Sequence, residues 1–187
     1  MTDGSQPWRP EFSNALKLLA RVSAAMDRRG LPRPVLVGGG AVEFYSGSAL
    51  MTGDMDVTSP VQPELEDELR KAGFVRPSGP GKLLRGWVHP ELGFGVEVVA
   101  NTPMNGAAEP ARFLLVRPIN DHDLFRIISV EDLIADRVAQ FASGAAREML
   151  AQALVLFDLY ADLDRDYLDA RIRNETGGEH GIQILET

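Results

Sequence analysis

Apolar residues recur at helical spacing near the start of the chain, and this pattern predicts its first helix. Residues 11–29 form an amphipathic segment, which Gly30 and Pro32 end. The apolar face of that segment consists of Phe12, Leu16, Leu19 and Val22. The chain is therefore predicted to open with one long amphipathic helix.

Short apolar runs separated by Gly, Pro and Asn predict β-strands in the middle of the chain. The predicted order is a strand at 34–37, the glycines Gly38-Gly39-Gly40, a short helix at 41–45, a strand at 52–57 and an acidic helix at 63–70. Further strands are predicted at 82–88, 94–100, 113–117 and 124–128. This order indicates a mixed α/β core over residues 1–129.

The last third of the chain returns to helical spacing. Ser129 is the predicted N-cap of a helix, with Asp132 at the capping-box position. A second helix carries Leu150, Leu154, Phe157 and Tyr160, and a third runs from about 164 to 174. We expect a helical segment over residues 130–176, followed by a loose tail over 177–187.

The composition narrows the class of function. The chain has 187 residues, enough for one sizeable core, and its 27 acidic and 19 basic residues give a net charge of -8. That charge argues against a general duplex-DNA binder, whose affinity depends on many cationic phosphate contacts. The chain has no Cys and only three His. A metal site would therefore be built from oxygen ligands, which favours Mg²⁺ or a similar hard ion.

The sequence gives no sign of a targeting segment or of a membrane span. Its first residues contain Asp3 and Glu11 and no apolar core. The longest uncharged stretches are well short of the ~20 apolar residues that a membrane span needs. We therefore expect a cytoplasmic protein that does not associate with a membrane.

Gly38-Gly39-Gly40 stand between an apolar strand and a helix, where glycines let a backbone approach phosphates closely. A Rossmann fingerprint requires G-x-G-x-x-G, and Glu43 occupies the place of the last glycine. No Gly-Lys-Ser/Thr triplet follows, so a P-loop is excluded as well. Taken alone, the glycines favour a tight turn with left-handed geometry over a phosphate site.

Three carboxylates stand on predicted strands. Asp54 and Asp56 are two residues apart, so they share one face, roughly 6.6 Å apart along the strand, while Met55 and Val57 face the core. Such a pair can hold one or two divalent ions, but D-x-D is also common at solvated strand ends. Glu97 is a single charge within an apolar strand. It predicts a partner across the sheet, unless its strand is an edge strand with Glu97 in solvent.

Together these segments resemble the nucleotidyltransferase superfamily, which has the polymerase-β-like fold. The resemblance is to the small prokaryotic branch with antibiotic nucleotidyltransferases and the toxins of some toxin–antitoxin pairs. The similar segments, within roughly residues 33–140, are Val35-Leu36-Val37-Gly38-Gly39-Gly40-Ala41, Thr52-Gly53-Asp54-Met55-Asp56-Val57, Glu97 and residues 131–137. The resemblance implies an α+β fold, with a mixed β-sheet flanked by helices and a C-terminal helical segment.

The resemblance also implies a function. It implies a metal-dependent enzyme that transfers a nucleoside monophosphate from a nucleoside triphosphate to an acceptor hydroxyl. Asp54, Asp56 and Glu97 would be its catalytic residues and the ligands of Mg²⁺ or Mn²⁺. The nucleotide-binding residues that it implies are Gly38, Gly39, Gly40, Thr52 and Arg137. The acceptor stays open among a small molecule, a protein and an RNA end.

Two positions depart from the pattern of this family. Leu50 stands four residues before Asp54, where the family often has Arg, and Arg137 stands where Lys is common. An alternative function is therefore a catalytically degenerate binding or regulatory protein with the same fold. A toxin–antitoxin component is a further alternative, which adds a partner rather than a new chemistry.

Overall fold

The computed structural model describes residues 7–77, 86–144 and 146–186 of the chain. Over these ranges the backbone forms six α-helices and one six-stranded mixed sheet. The predicted α+β class is confirmed. The chain divides into two compact units between Ile127 and Ile128. The first unit holds the sheet and three helices, and the second holds the other three helices.

The strands lie in a different order across the sheet from their order in the chain. They are β1 (Val35–Val37), β2 (Asp54–Thr58), β3 (Trp87–His89), β4 (Phe94–Ala100), β5 (Leu114–Val116) and β6 (Phe125–Ile127). Their order across the sheet is β3-β4-β2-β1-β6-β5. β2 is antiparallel to β1 on one side and parallel to β4 on the other. The two strands that carry the three carboxylates are therefore direct neighbours.

Three helices accompany the sheet in the first unit: α1 (Pro10–Arg28), α2 (Gly38–Tyr45) and α3 (Gln62–Lys71). Proline suits the first position of α1, because that residue needs no partner for a backbone N–H. The predicted apolar face of α1 is confirmed, since Phe12, Leu16, Leu19 and Val22 are buried. This face lies in the core because α1 packs against α3 and β6.

The second unit consists of α4 (Val130–Ala142), α5 (Met149–Leu159), α6 (Arg165–Glu175) and a 3₁₀ turn at Ile182–Leu185. The predicted cap of α4 is confirmed, because Ser129 Oγ accepts a hydrogen bond from the Asp132 N–H at 3.1 Å. The buried Asp132 carboxylate accepts hydrogen bonds from Tyr167 Oη at 2.9 Å and Arg171 Nε at 3.0 Å. These contacts join α4 to α6.

Several boundaries differ from the sequence predictions. The helix predicted over 41–45 already begins at Gly38, and the strand predicted over 52–57 spans Asp54–Thr58. Gly38 has a left-handed φ of +59°, which turns the chain from β1 directly into α2. Of the strand predicted over 82–88, β3 contains residues 87 and 88. Residues 82–85 lie outside the described residues.

The prediction of a loose tail over residues 177–187 is wrong for its 3₁₀ turn. Ile182 and Leu185 are buried, and the Ile182 N–H donates to Asp169 Oδ1 of α6 at 2.8 Å. Gly177 and Gly178, both at positive φ, turn the chain back after α6. The apolar pair therefore packs on helices of its own unit. Over the described ranges, no helix has both the length and the apolar character that crossing a membrane requires.

Candidate active site

The three carboxylates meet on one face of the sheet. β2 and β4 run parallel, with Asp56 beside Glu97 and Asp54 beside Gly95. Met55 and Val57 alternate with the aspartates and are fully buried on the opposite face, as predicted. Each of Asp54, Asp56 and Glu97 offers an oxygen within 4.8 Å of the other two. β4 lies between β3 and β2, which excludes the edge-strand alternative for Glu97.

The donor set of this carboxylate cluster fits a hard divalent cation. Three carboxylates offer only oxygen ligands, which Mg²⁺ and Mn²⁺ prefer. Ligands of an octahedral Mg²⁺ at 2.1 Å are about 3.0 Å apart when adjacent and about 4.2 Å apart when opposite, and the oxygens of the cluster lie within 4.8 Å of one another. Three like charges at this separation also repel one another, and a bound cation removes that repulsion. Side-chain rotations that bring these oxygens closer together would let them contact one ion.

The glycine turn that follows β1 holds Asp56. The Gly39 N–H donates a hydrogen bond to Asp56 Oδ2 at 3.2 Å. A Cβ at Gly38 would lie 2.0 Å from the same oxygen, and a Cβ at Gly39 would lie 3.0 Å from Thr52 Oγ1. Because a side chain at residue 38 would take the place of Asp56 Oδ2 and one at residue 39 would press on Thr52, the two glycines let the start of α2 lie directly against the β2 carboxylate. The helix N-terminus also favours the negative charge there.

The other predicted nucleotide-binding residues fall in three different places. Thr52 lies beside the carboxylates, and its Oγ1 donates to Asp54 Oδ1 at 3.2 Å. Gly40 is buried, and a Cβ there would lie 2.9 Å from Leu36 Cδ1, so this glycine allows α2 to pack closely on β1.

Arg137 is buried in α4 of the second unit. It pairs with Asp136 at 3.1 Å and donates to Met149 Sδ at 3.0 Å. Its role as a nucleotide ligand stays a prediction.

An ion pair beside the cluster, between a buried carboxylate and a partly exposed guanidinium, was missed by the sequence analysis. The Glu43 side chain is fully buried in α2, and Arg9 Nε donates to its Oε1 at 2.7 Å. This hydrogen bond holds the pKa of Arg9 above its usual value. Glu43 is a single charge among the apolar residues of α2, the same signal that drew attention to Glu97. Applied to both residues, that signal would have predicted a partner for Glu43 too.

An open cleft of about 310 Å³ adjoins the carboxylates. Asp54 and Glu97 contribute its charges, and Trp87 and Val88 of β3 form part of its wall. The rest of its lining includes Gly53, Gly86, Gly93 and Gly95. Because glycines expose the backbone, a ligand can approach the main chain closely here. The volume lies at the lower end of the range for small-molecule sites.

Comparison with known proteins relates the chain to others by structure and not by sequence. No protein-family model matches it, and no curated protein matches it. A nucleotidyltransferase-like antigenic protein from Paracoccidioides brasiliensis superposes with a TM-score of 0.60 at 14% identity, over 94% of this chain and 92% of that one. ANT(2'')-Ia, solved in complex with adenylyl-2''-tobramycin, superposes with a TM-score of 0.56 at 16% identity, over 88% and 98% of the two chains. The chain has the nucleotidyltransferase-like fold, so the fold that the resemblance implied is confirmed.

Proposed function

We propose that this chain is a metal-dependent nucleotidyltransferase, which transfers a nucleoside monophosphate from a nucleoside triphosphate to an acceptor hydroxyl. The observation that carries the proposal is the convergence of Asp54, Asp56 and Glu97 on two adjacent parallel strands. The glycine turn lies against this cluster, and an open cleft adjoins it. The nucleotidyltransferase-like fold supports the same reaction class.

In the proposed reaction, the carboxylates position a cation and accept a proton. Asp54 and Asp56 would hold Mg²⁺ or Mn²⁺, and when bound the cation neutralises charge that develops on the α-phosphate. Glu97 is half-buried beside them, would also contact the cation and would help to remove the proton of the acceptor hydroxyl. The acceptor oxygen then bonds to the α-phosphorus, and the bond from that phosphorus to the oxygen bridging the α- and β-phosphates breaks. Pyrophosphate leaves with the electron pair of the broken bond.

The glycine turn has a structural part in this proposal. Gly38 and Gly39 keep Asp56 in place, because the Gly39 N–H donates to its carboxylate and Gly38 leaves room for it. Contacts of Gly38, Gly39 and Gly40 with phosphates, together with Thr52 and Arg137, remain part of the proposal. A triphosphate would bring them the negative charge that backbone amides and a guanidinium favour.

The acceptor and the setting of the reaction are also proposals. One structural neighbour was solved in complex with adenylyl-2''-tobramycin, which favours a small-molecule acceptor over a protein or an RNA end. The cleft beside the carboxylates has a volume of about 310 Å³ and suits a small ligand. A cytoplasmic location and a partnership of the toxin–antitoxin kind both stay predictions.

The direct test is transfer from an α-labelled nucleoside triphosphate. The full chain is incubated with each labelled triphosphate, Mg²⁺ and one of three acceptors: tobramycin, a transfer RNA or the protein itself. We expect transfer by the wild type and a loss of at least about 100-fold in Asp54→Asn and Glu97→Gln, since each removes a charged ligand. Glu91→Gln is the matched control, because Glu91 is exposed outside the cluster. Equal transfer by the wild type and Asp54→Asn would refute the assigned role of Asp54.

Calorimetry separates this function from the degenerate alternative. An intact cluster should bind a nucleoside triphosphate only when Mg²⁺ is present. Metal-dependent binding without transfer to any acceptor would favour the binding or regulatory protein, for which Leu50 was the sequence argument. Failure of the folded protein to bind any nucleotide would exclude the transferase.

A further inference from the structure

Glu43 is a second acidic centre close to the carboxylate cluster, and among the described residues its hydrogen-bond donors come from outside α2. Both of its oxygens accept from the Arg9 guanidinium, at 2.7 and 3.1 Å. Ser48 Oγ donates to Oε1 at 2.9 Å, and the Thr52 N–H donates to Oε2 at 2.7 Å. A fully buried carboxylate is stable only with such partners. The Glu43 carboxylate is thus hydrogen-bonded both to residue 9 and to the loop before β2.

Arg9 also contacts the same loop directly. Besides Glu43, its guanidinium donates to the Thr52 carbonyl, and the Arg9 N–H donates to Ser48 Oγ at 3.1 Å. The guanidinium carbon also lies 5.6 Å from the centre of the Phe94 ring, at the start of β4. Thr52 is therefore bound at both backbone groups, with its N–H on Glu43 and its carbonyl on Arg9. This one ion pair thus fixes the backbone of Thr52.

The hydroxyl of Thr52 connects this fixed backbone to the carboxylate cluster. Thr52 Oγ1 donates to Asp54 Oδ1 at 3.2 Å, so the orientation of Asp54 depends on the position of Thr52. The loop over residues 46–53 has no charged side chain of its own. It also contains Gly47 and Ser48 at positive φ, and nothing lies within 4 Å of a Cβ built on Gly53. The cation that holds this loop comes from residue 9.

We propose that Arg9 is a positioning residue for Asp54, acting through Glu43 and Thr52. The inference rests on the proposed function, because it takes Asp54 as a metal ligand. The guanidinium can do this because its planar fork donates to a carboxylate and a carbonyl together. An ammonium has its three donors on a single atom and lacks this planar fork, so it cannot reproduce the bidentate contact with Glu43 and the contact with the Thr52 carbonyl in the same geometry. The loop would then move, and Asp54 would lose its fixed orientation before any metal binds.

The test measures Mn²⁺ binding by the full chain, without nucleotide or acceptor. Loss of a residue that orients a metal ligand typically weakens affinity 10- to 100-fold, and we expect about tenfold for Arg9→Lys. The matched control is Arg33→Lys, because Arg33 also joins a carbonyl, Leu124 O at 2.8 Å, to a carboxylate, Asp27 at 2.8 Å. These contacts do not include the carboxylate cluster or the 46–53 loop. We expect less than about a twofold change in that control.

Amide hydrogen exchange in the absence of metal gives a second readout. We expect faster exchange in Arg9→Lys at residues 48–55 and unchanged exchange in the other strands. If Arg9→Lys unfolds, the double variant Arg9→Met with Glu43→Gln replaces it. This variant leaves no unpaired buried charge and keeps an oxygen for the Thr52 N–H, and we expect the same loss of Mn²⁺ affinity.

The outcomes separate this inference from the proposed function. If the wild type binds Mn²⁺ through Asp54 but Arg9→Lys binds it equally well, the inference is overturned and the function stands. The inference is also overturned if Arg33→Lys weakens binding as much as Arg9→Lys, because the effect would then be general destabilisation. If the folded wild type binds no Mn²⁺, both the inference and the proposed metal dependence are overturned.

Discussion

Gly38 is the single residue on which the glycine turn and the carboxylates depend most directly. In Gly38→Ala the new Cβ would lie 2.0 Å from Asp56 Oδ2, so Asp56 would have to leave its place. The left-handed backbone, with φ at +59°, would cost a further 1–2 kcal/mol or so. We expect Gly38→Ala to weaken Mn²⁺ binding by at least about tenfold, measured by titration calorimetry.

Gly30→Ala is the matched control for this substitution. Gly30 also has a left-handed φ, +70°, but nothing lies within 4 Å of its Cβ. Both variants should therefore lose a similar amount of stability through backbone strain. Only Gly38→Ala should lose metal affinity. Equal Mn²⁺ affinity in the two variants would show that a Cβ at residue 38 does not displace Asp56.

Residues of the candidate site differ in how far the sequence could predict them. Asp54 and Asp56 are two apart on one strand, so the alternation of side chains alone places them together. Glu97 could be predicted to join the two aspartates, because a lone charge in an apolar strand needs a partner. The Arg9 and Glu43 pair could not be predicted as a pair, because 34 residues separate them and no local pattern joins them. Leu50 suggested a missing cation, yet Arg9 reaches the loop that contains Leu50.

At the scale of elements, Glu68 joins α3 to the end of α1. Its carboxylate, 8% exposed, accepts from Lys71 Nζ at 2.7 Å and from Arg29 Nη1 at 2.6 Å. The hydrogen bond from Lys71, and then that from Arg29, holds the pKa of Glu68 below its usual value. A lowered pKa stabilises the fold above the unfolded-state pKa of about 4.3, and this contribution is lost as the pH falls through the folded-state pKa.

We therefore expect Glu68→Gln to lower the free energy of unfolding at pH 7 by on the order of 1 kcal/mol. The difference from the wild type should shrink as the pH falls below the unfolded-state pKa of about 4.3 and through the lower pKa of Glu68 in the folded state. Urea unfolding at pH 7 and pH 3 measures both values. Asp67→Asn is the control, because Asp67 is exposed and its pair with Arg70 lies on the surface of the same helix. A loss in Glu68→Gln that is equal at both pH values would contradict this account.

Predictability of the elements follows the length of their patterns. α1 extends over five turns of apolar spacing, and β4 alternates over seven residues, so both could be predicted with nearly correct bounds. The turn at Ile182–Leu185 has four residues and no periodicity. It forms because Asp169 caps the Ile182 N–H and two apolar side chains are buried. Those are tertiary contacts, which a local pattern does not contain.

At the scale of the whole molecule, local sequence patterns cannot predict the order of the strands across the sheet. β2 lies between β1 and β4, although β3 stands between β2 and β4 in the chain. The resemblance to a known family supplied the fold, and the structural neighbours confirm it. Taken alone, the net charge of -8 argues only against broad binding to nucleic acid. With three carboxylates gathered within 4.8 Å, part of that charge lies where a cation would lower the free energy of the folded state.

This charge distribution predicts that Mg²⁺ stabilises the folded protein through the carboxylate cluster. A ligand at ten times its Kd adds RT ln 11, about 1.4 kcal/mol, which is about 3–6 °C in Tm for a chain of this size. Calorimetric scans in MgCl₂, and in NaCl of equal ionic strength, measure the shift and separate it from screening. We expect Asp56→Asn to abolish the shift. Asp162→Asn, which changes an exposed aspartate of the second unit, should keep it.

If the two units unfold separately, only the transition of the first unit should move, because the cluster belongs to that unit alone. A shift of the same size in NaCl, or one retained in Asp56→Asn, would mean that Mg²⁺ acts on the general surface charge and not at the cluster.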